Sequence, residues 1–320
     1  MTDTLPCPKK GPVVALVAPS GYAYDLAAVE RGIALLQGRG CRVKRYFDSA
    51  QQYQRFGGND QQRAAQLMAA AADPEVQVVL ALRGGYGLTR ILATLDFEQL
   101  AASGKLFVGH SDFTAFQMAL LAQTGASSFA GPMLCDDFTR AQPSQFTHED
   151  FWQCITGDTH TLRIAASGNP SIEVAGTLWG GNLTMLTHLA GTRYLPQIEG
   201  GILFVEDVNE HPYRVERMLL QLLHAGVLDR QQALLLGDFS NYRLTDYDNG
   251  YDFDTMLAYL RAHCPLPIVT GLPFGHIADK VTLAVGAQAQ LVVEGQQWRL
   301  TMSGYRGLSR QPAAARAAIR

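Results

Sequence analysis

A serine, Ser111, stands in a turn between the apolar run Leu106 to Val108 and a helical pattern from Phe113 to Gln123. The apolar run predicts a short strand, and the segment after the turn predicts a helix. Gly109 allows a tight bend, so the serine Oγ projects at the strand end beside the free N–H groups of the helix N-terminus. This is the geometry of a nucleophile elbow. The alternative is that Ser111 or Asp112 only caps the helix.

A glycine-rich turn of sequence RGGYG, residues 83–87, follows the apolar run Val76 to Leu82. Backbone N–H groups in such a turn can complete an oxyanion hole, because no side chain blocks their approach. The turn lacks the dinucleotide fingerprint, since position 90 is Arg90, and it also lacks the Walker lysine, so no nucleotide cofactor is predicted. Arg83 could instead bind a substrate carboxylate through its planar fork, or pair with an acid on the surface.

A nucleophilic serine needs a base, and the base needs an orienting group. His276 lies in a glycine-flanked loop after the apolar run Leu266 to Val269, whereas the other histidines are simpler to interpret as helix, capping or loop residues. His110 adjoins the serine, but neighbouring side chains at a tight turn diverge, which favours local packing. Glu206 ends the apolar run Gly201 to Val205 and should therefore stand at a sheet edge. We take His276 and Glu206 as the candidate base and acid.

No metal site is predicted. The acidic segment from Asp246 resembles a calcium loop, but its glycine falls at the fifth position and its twelfth residue is Leu257. A helix capped by Asp252 or Asp254 explains the segment better. The chain also lacks HExxH and CxxC patterns. The cysteines are odd in number and widely spaced, and are expected to be reduced thiols: Cys7, Cys41, Cys135, Cys154 and Cys264.

Short apolar runs alternate with helical patterns through the first half of the chain, which predicts an α/β domain with a mostly parallel sheet flanked by helices over residues 1–150. The periodicity weakens over residues 151–171, a predicted connector. Residues 172–305 add further strands, several of them alternating like antiparallel β, and form a β-rich second α/β domain. Residues 306–320 are expected to form a flexible tail. Because parallel sheets bind ligands at the carboxyl ends of their strands, the turns there should hold the site.

Composition excludes several classes of protein. The chain has 320 residues, 47% of them hydrophobic and 17% charged, so it is too apolar to be disordered. Its net charge is −3 and its basic residues are scattered, so nucleic acid is not an expected partner. The N-terminus has no apolar leader segment, and the run Val76 to Leu82 is too short to cross a bilayer. We therefore expect a cytoplasmic location and no membrane partner.

Several motifs together resemble the LD-carboxypeptidase family of serine peptidases. They are RGGYG at residues 83–87, GHSD at 109–112, WGGN at 179–182, Glu206 after its β run, and GH at 275–276. The resemblance spans nearly the whole chain in one consistent order. It implies a cytoplasmic, often homodimeric enzyme without cofactor that removes the terminal D-alanine from murein tetrapeptides in cell-wall recycling. The implied fold is a flavodoxin- or amidotransferase-like first domain and a β-rich second domain, with the site at their interface.

The same resemblance implies a role for each candidate residue. Ser111 corresponds to the nucleophile, His276 to the general base and Glu206 to its orienting partner. The backbone N–H groups of Asp112 and Gly85 correspond to the oxyanion hole. The predicted substrate contacts are Arg83, Tyr86 and Trp179.

Three other functions stay open on the sequence. The family also contains microcin C self-immunity peptidases, which use the same triad on a nucleotide conjugate or a related peptidyl substrate. An α/β-hydrolase esterase has the same Ser…Glu…His order, but position 113 is Phe113 where G-x-S-x-G requires Gly, and the HGGG loop is missing. A sugar- or peptide-binding module without catalysis would use the glycine turns for ligand contacts alone.

Overall fold

The chain folds around two β-sheets, and the computed structural model describes residues 11–310. With strands numbered along the chain, the first sheet contains β1 (Val13–Val17), β2 (Arg42–Arg45), β3 (Val78–Ala81), β4 (Leu106–Gly109), β5 (Ser128–Ala130) and β11 (Leu283–Val285). Their order across the sheet is β11-β5-β4-β3-β1-β2. Strands β1 to β5 run parallel, and β11 is antiparallel to β5.

The central strands of this sheet are apolar on both sides. Every residue of β1, β3 and β4 is buried, so both faces of the sheet are covered, as a parallel sheet requires. The α-helices of the described chain are α1 (Leu26–Gly38), α2 (Asp60–Ala72), α3 (Phe97–Ala102), α4 (Thr114–Thr124), α5 (Gln145–Thr156), α6 (Leu183–Leu189), α7 (Pro212–His224) and α8 (Phe253–His263).

The second sheet is half parallel and half antiparallel. It contains β6 (Thr159–Ala165), β7 (Ile172–Asn182), β8 (Gly201–Val208), β9 (Gln231–Ser240), β10 (Ile268–Val269), β12 (Gln288–Glu294) and β13 (Gln297–Ser303), in the order β10-β9-β8-β7-β12-β13-β6. Strands β7 to β10 are parallel to one another, and β12, β13 and β6 continue the sheet in antiparallel pairing.

The loop over residues 271–282 leaves the second sheet after β10 and enters the first sheet at β11. His276 therefore lies on a segment that passes from one sheet to the other. Ser111 follows β4 in the first sheet, and Glu206 lies near the end of β8 in the second. Parallel strands present their carboxyl ends at one edge, which explains how residues distant in sequence meet.

The predicted α/β fold, with a mostly parallel N-terminal sheet and a β-rich C-terminal part, is confirmed. The chain does not divide as simply as the sequence indicated. Part of the predicted connector forms β6, which has the alternating burial typical of an edge strand. Its composition is too polar for the strand to be predicted from the sequence. Strand β11, expected in the second domain, pairs with β5 in the first sheet. After the glycine turn, Leu88–Arg90 and Leu92–Thr94 form two short 3-10 turns.

Residues 306–310, the described part of the predicted tail, pack on the rest of the fold. Gly307 packs so closely on the Gly157 carbonyl that a Cβ there would clash, and a 3-10 turn covers Leu308–Arg310. Residues 311–320, and Cys7 near the start, lie outside the described residues. No helix within residues 11–310 is long and apolar enough to cross a membrane. Asp252 caps α8, as the sequence predicted for this acidic segment.

Candidate active site

Ser111 occupies a strained turn at the end of β4. Its φ of 61° lies in the left-handed region, which costs a residue with a side chain about 1 kcal/mol. A Cβ on Gly109 would lie 2.7 Å from the ring of Phe113, so glycine is required for the close crossing of strand and helix. The turn therefore has the elbow geometry predicted from the sequence, with the half-buried Ser111 side chain at the sheet edge.

The glycine turn after β3 lies directly against this serine. A Cβ placed on Gly84 would stand 2.7 Å from the Ser111 Oγ and 3.5 Å from the Asp112 nitrogen. Gly85 is exposed and has a φ of 115°, a conformation that favours glycine. The glycine turn therefore packs directly against the Ser111 hydroxyl, and position 84 has no room for a side chain.

Two buried charged side chains hold the glycine turn in place. Asp112 accepts hydrogen bonds through its Oδ2 from the Ser20 hydroxyl at 2.6 Å and from the Leu88 N–H at 3.0 Å. Burial raises the pKa of this carboxyl, although its hydrogen bonds oppose the shift. The fully buried guanidinium of Arg63 donates to the Gly87 carbonyl at 2.9 Å. The sequence did not indicate these roles of the Asp112 carboxylate and Arg63, because their partners are remote in the chain.

His276 and Glu206 form a hydrogen-bonded pair. The Nδ1 of His276 lies 2.8 Å from the Oε2 of Glu206, whose side chain is fully buried, while that of His276 is 23% exposed. Burial lowers the pKa of His276, but the hydrogen bond and charge of Glu206 outweigh it, so the pKa is raised overall. With Nδ1 bonded to the carboxylate, the Nε2 of His276 is the nitrogen left to accept a proton.

Asn182 connects this pair to the helix that follows the serine. Its Nδ2 donates to the Oε1 of Glu206 at 3.2 Å and to the Oδ1 of Asp207 at 2.9 Å. Its backbone N–H donates to the Thr114 hydroxyl at 3.0 Å. No role for Asn182 was predicted from the sequence. The feature of the sequence that could have indicated this role is its place at the end of the WGGN motif. An amide side chain does not ionise, so its residue type alone does not indicate a catalytic role.

The residue before the serine touches the histidine. The ring centroids of His110 and His276 are 5.3 Å apart in an edge-on arrangement. His110 is buried, and its Nδ1 lies 2.9 Å from the carbonyl of Gly131, which directly follows the neighbouring strand β5. Burial, followed by the charge of Lys280, holds its pKa well below the usual value. The contacts of His110 and Thr114 on either side of Ser111 bring the serine turn to the His276–Glu206 pair.

Two of the three predicted substrate contacts border the glycine turn. The guanidinium of Arg83 donates to the Tyr22 carbonyl at 3.2 Å and lies 5.3 Å from the ring centroid of Tyr24. Tyr86 is 42% exposed and packs against the ring of Phe56. Tyr86 is thus exposed and Arg83 partly exposed at the rim of the turn.

The prediction that Trp179 contacts substrate is wrong. Its side chain is 1% exposed, and its Nε1 donates to the Oε1 of Gln231 at 2.8 Å. Trp179 lies on β7, where its ring fills the core of the second sheet. Its place in a glycine motif suggested a binding role, but the motif's contribution to the site comes from Asn182.

The chain matches two family domains in the expected order. Residues 14–131 match the LD-carboxypeptidase N-terminal domain, and residues 175–291 match the LD-carboxypeptidase C-terminal domain. The chain belongs to the LD-carboxypeptidase family. The first match contains Ser111 and the glycine turn, and the second contains Glu206 and His276.

Relatives within and around the LD-carboxypeptidase family agree with this assignment. A muramoyltetrapeptide carboxypeptidase from Oxalobacter formigenes has a solved structure with 53% identity and a TM-score of 0.88, covering 92% of this chain and 99% of that one. A probable murein peptide carboxypeptidase from Bacillus subtilis is 30% identical over 289 residues, 88% of this chain and 89% of the relative.

A more distant structure shares only the LD-carboxypeptidase fold. The microcin C7 self-immunity protein MccF, solved with aspartyl sulfamoyl adenosine, has 22% identity and a TM-score of 0.84, covering 93% of this chain and 98% of that one. At 22% identity, the similarity shows that this chain has the same fold as MccF and shows nothing about its substrate.

Proposed function

We propose that this protein is a serine-type LD-carboxypeptidase that removes the C-terminal D-alanine from murein tetrapeptides. Membership of the family and the named activity of the relative at 53% identity support the reaction class and substrate. The observation with most weight for the chemistry is the 2.8 Å bond between His276 and the buried Glu206, with the ring of His276 packed against His110, the residue before Ser111. A base oriented by an acid next to a serine is the arrangement that acyl transfer requires.

The proposed reaction has two steps. The Nε2 of His276 takes the proton of the Ser111 hydroxyl as the serine oxygen attacks the carbonyl carbon of the L-centre. The bond to the D-alanine nitrogen then breaks, and His276 returns the proton to the leaving amine. Water, activated by His276 in the same way, hydrolyses the acyl-enzyme. Glu206 keeps the proton on the Nδ1 of His276 and stabilises the ring when it is charged.

The glycine turn supplies the proposed oxyanion hole. The N–H groups of Gly85 and Asp112 would donate to the oxyanion of the tetrahedral intermediate. We propose that Arg83 and Tyr86 contact the substrate at the rim of the turn, with Arg83 binding a carboxylate through its planar fork. Cytoplasmic location and homodimeric assembly, which the resemblance implied, stay predictions. Light scattering of the purified chain tests the dimer.

The decisive experiment is mass spectrometry of a murein tetrapeptide incubated with the purified protein. We expect the loss of one D-alanine, no further cleavage of the tripeptide product, and the same rate after dialysis against EDTA, because the proposed chemistry uses no metal. A tetrapeptide left intact would contradict the proposal. Parallel incubation with a peptidyl nucleotide conjugate tests the self-immunity activity that the fold of MccF keeps open. A short-chain ester tests general esterase activity.

Substitution of Gly84 by alanine tests the close packing of the glycine turn on Ser111 while every proposed catalytic residue keeps its identity. The new methyl group would overlap the Ser111 hydroxyl, so the turn that carries Ser111 and the glycine turn would have to move apart. We expect kcat to fall about 100-fold, the effect of losing one oxyanion donor. Gly38→Ala is the matched control, because a Cβ at Gly38 meets nothing within 4 Å. Equal kcat values for the two variants would rule out this role for the turn.

A further inference from the structure

The loop that carries His276 is attached to α5 and to the segment before it. The Lys280 N–H donates to the Thr147 hydroxyl at 2.8 Å, and that hydroxyl donates to the Ala278 carbonyl at 2.9 Å. Just beyond, the Thr282 N–H donates to the Asp150 carboxylate at 2.5 Å. These bonds fix the loop on the side of His276 that leads into the first sheet.

A buried ion pair completes this attachment. The Nζ of Lys280 lies 2.7 Å from the Oδ1 of Asp137, and the two side chains are 2% and 0% exposed. The other carboxylate oxygen of Asp137 accepts the Met133 N–H at 2.9 Å. A charged pair removed from water in this way usually adds little to stability compared with apolar side chains. Its presence beside a functional loop therefore calls for another explanation.

Charged and titratable groups face His276 from several elements. Glu206 and Asp207 of β8 act on its ring with negative charge, and Lys280 of its own loop acts with positive charge. His110, from the turn after β4, packs edge-on against it. From β9, the side chain of Asp238 flanks the neighbouring Gly275. Lys280 is thus the positive charge that opposes the carboxylates around His276.

We propose that Lys280 and Asp137 form a positioning pair, which fastens the His276 loop to the part of the chain following β5 and keeps a positive charge within electrostatic reach of the His276 ring. The pair acts through His276 and does not touch substrate. The proposal rests on the proposed function, because it gives His276 the role of general base. A base works best when its pKa lies near the working pH, and Lys280 opposes the rise that Glu206 causes.

The test replaces the pair by neutral side chains of similar size, in Lys280→Met with Asp137→Asn, which leaves no unpaired buried charge. NMR titration of labelled histidine rings, with His276 assigned through His276→Gln, should give a pKa for His276 higher than in the wild type, because a positive charge near the ring is removed. The acidic limb of kcat/KM should move to higher pH by the same amount. We also expect kcat to fall about tenfold with KM nearly unchanged, because the loop is less well fixed.

Two further variants separate this proposal from a general loss of structure. Lys105→Met is the matched control. Lys105 directly precedes β4, and its partly buried ammonium donates hydrogen bonds to the carbonyls of Asp73 and Val76. It should leave the His276 titration unchanged. If the double variant does not fold, Lys280→Met alone takes its place. Burial raises the pKa of Asp137, so this carboxyl can take up a proton and need not remain as an unpaired buried charge.

The outcomes for the pair and for the proposed function are distinct. An unchanged His276 titration in both Lys280 variants would overturn the role of the pair, whatever the activity. Failure of the wild-type protein to release D-alanine would instead remove the proposed function, while the NMR titration would still decide whether Lys280 acts on His276.

Discussion

Replacing Ser111 by alanine should lower kcat for D-alanine release by at least about 10⁴-fold, with KM changed little, because the nucleophile is lost while the binding surface stays. Ser103→Ala is the matched control. The Ser103 hydroxyl donates to the Leu100 carbonyl at the end of α3, before β4 begins, so its loss should not affect turnover. A serine-directed fluorophosphonate should label the wild type and Ser103→Ala but not Ser111→Ala. Near-native cleavage by Ser111→Ala would refute the nucleophile assignment.

The same position allows catalysis and backbone strain to be separated. Ser111→Gly removes the hydroxyl as alanine does, but glycine adopts a φ near 61° without steric cost. Urea denaturation should therefore show Ser111→Gly to be more stable than Ser111→Ala by about 1 kcal/mol, with both variants inactive. Equal unfolding free energies would mean that the turn stores no strain.

Local sequence patterns predicted the helices and strands whose own apolar residues show a regular spacing or an unbroken run. The apolar run Val76 to Leu82, which contains β3, and the helix predicted over Phe113 to Gln123, which corresponds to α4, are of this kind. The pattern failed where burial depends on a distant partner. Strand β6 has few inward apolar residues, and it is a strand because it pairs with β13. Strand β11 joins the first sheet through pairing with β5, from which it is far removed in sequence.

The candidate site shows the same division. Ser111, His276 and Glu206 could be proposed from the sequence because each residue type has a known chemical use and stands at a strand end or in a glycine-flexed loop. Asn182 and Arg63 could not, because their roles depend on hydrogen bonds to groups remote in the chain. Trp179 was misassigned for the opposite reason. A conspicuous aromatic next to glycines resembles a ligand contact until its burial is known.

Exchanging Glu206 for glutamine should lower kcat by about 10³- to 10⁴-fold. The amide keeps the size of the side chain but can no longer hold the proton on the Nδ1 of His276 or stabilise its positive charge. Asn182 can still bond to the new side chain, so the local fold should persist. Glu216→Gln is the matched control, since this carboxylate of α7 only accepts a hydrogen bond from the Tyr251 hydroxyl. Turnover close to wild type in Glu206→Gln would show that His276 needs no acid.

The pH dependence of Glu206→Gln should be opposite in sign to that of the Lys280 variants. Glu206 raises the pKa of His276, so its replacement should move the acidic limb of kcat/KM to lower pH. A raised histidine pKa adds stability below the unfolded value of 6.5, and this stability is lost as the pH rises through the folded pKa. The difference in unfolding free energy between wild type and Glu206→Gln should therefore grow as the pH falls from the folded pKa towards 6.5. A shift of both sets of variants in the same direction would contradict the balance of charges around His276.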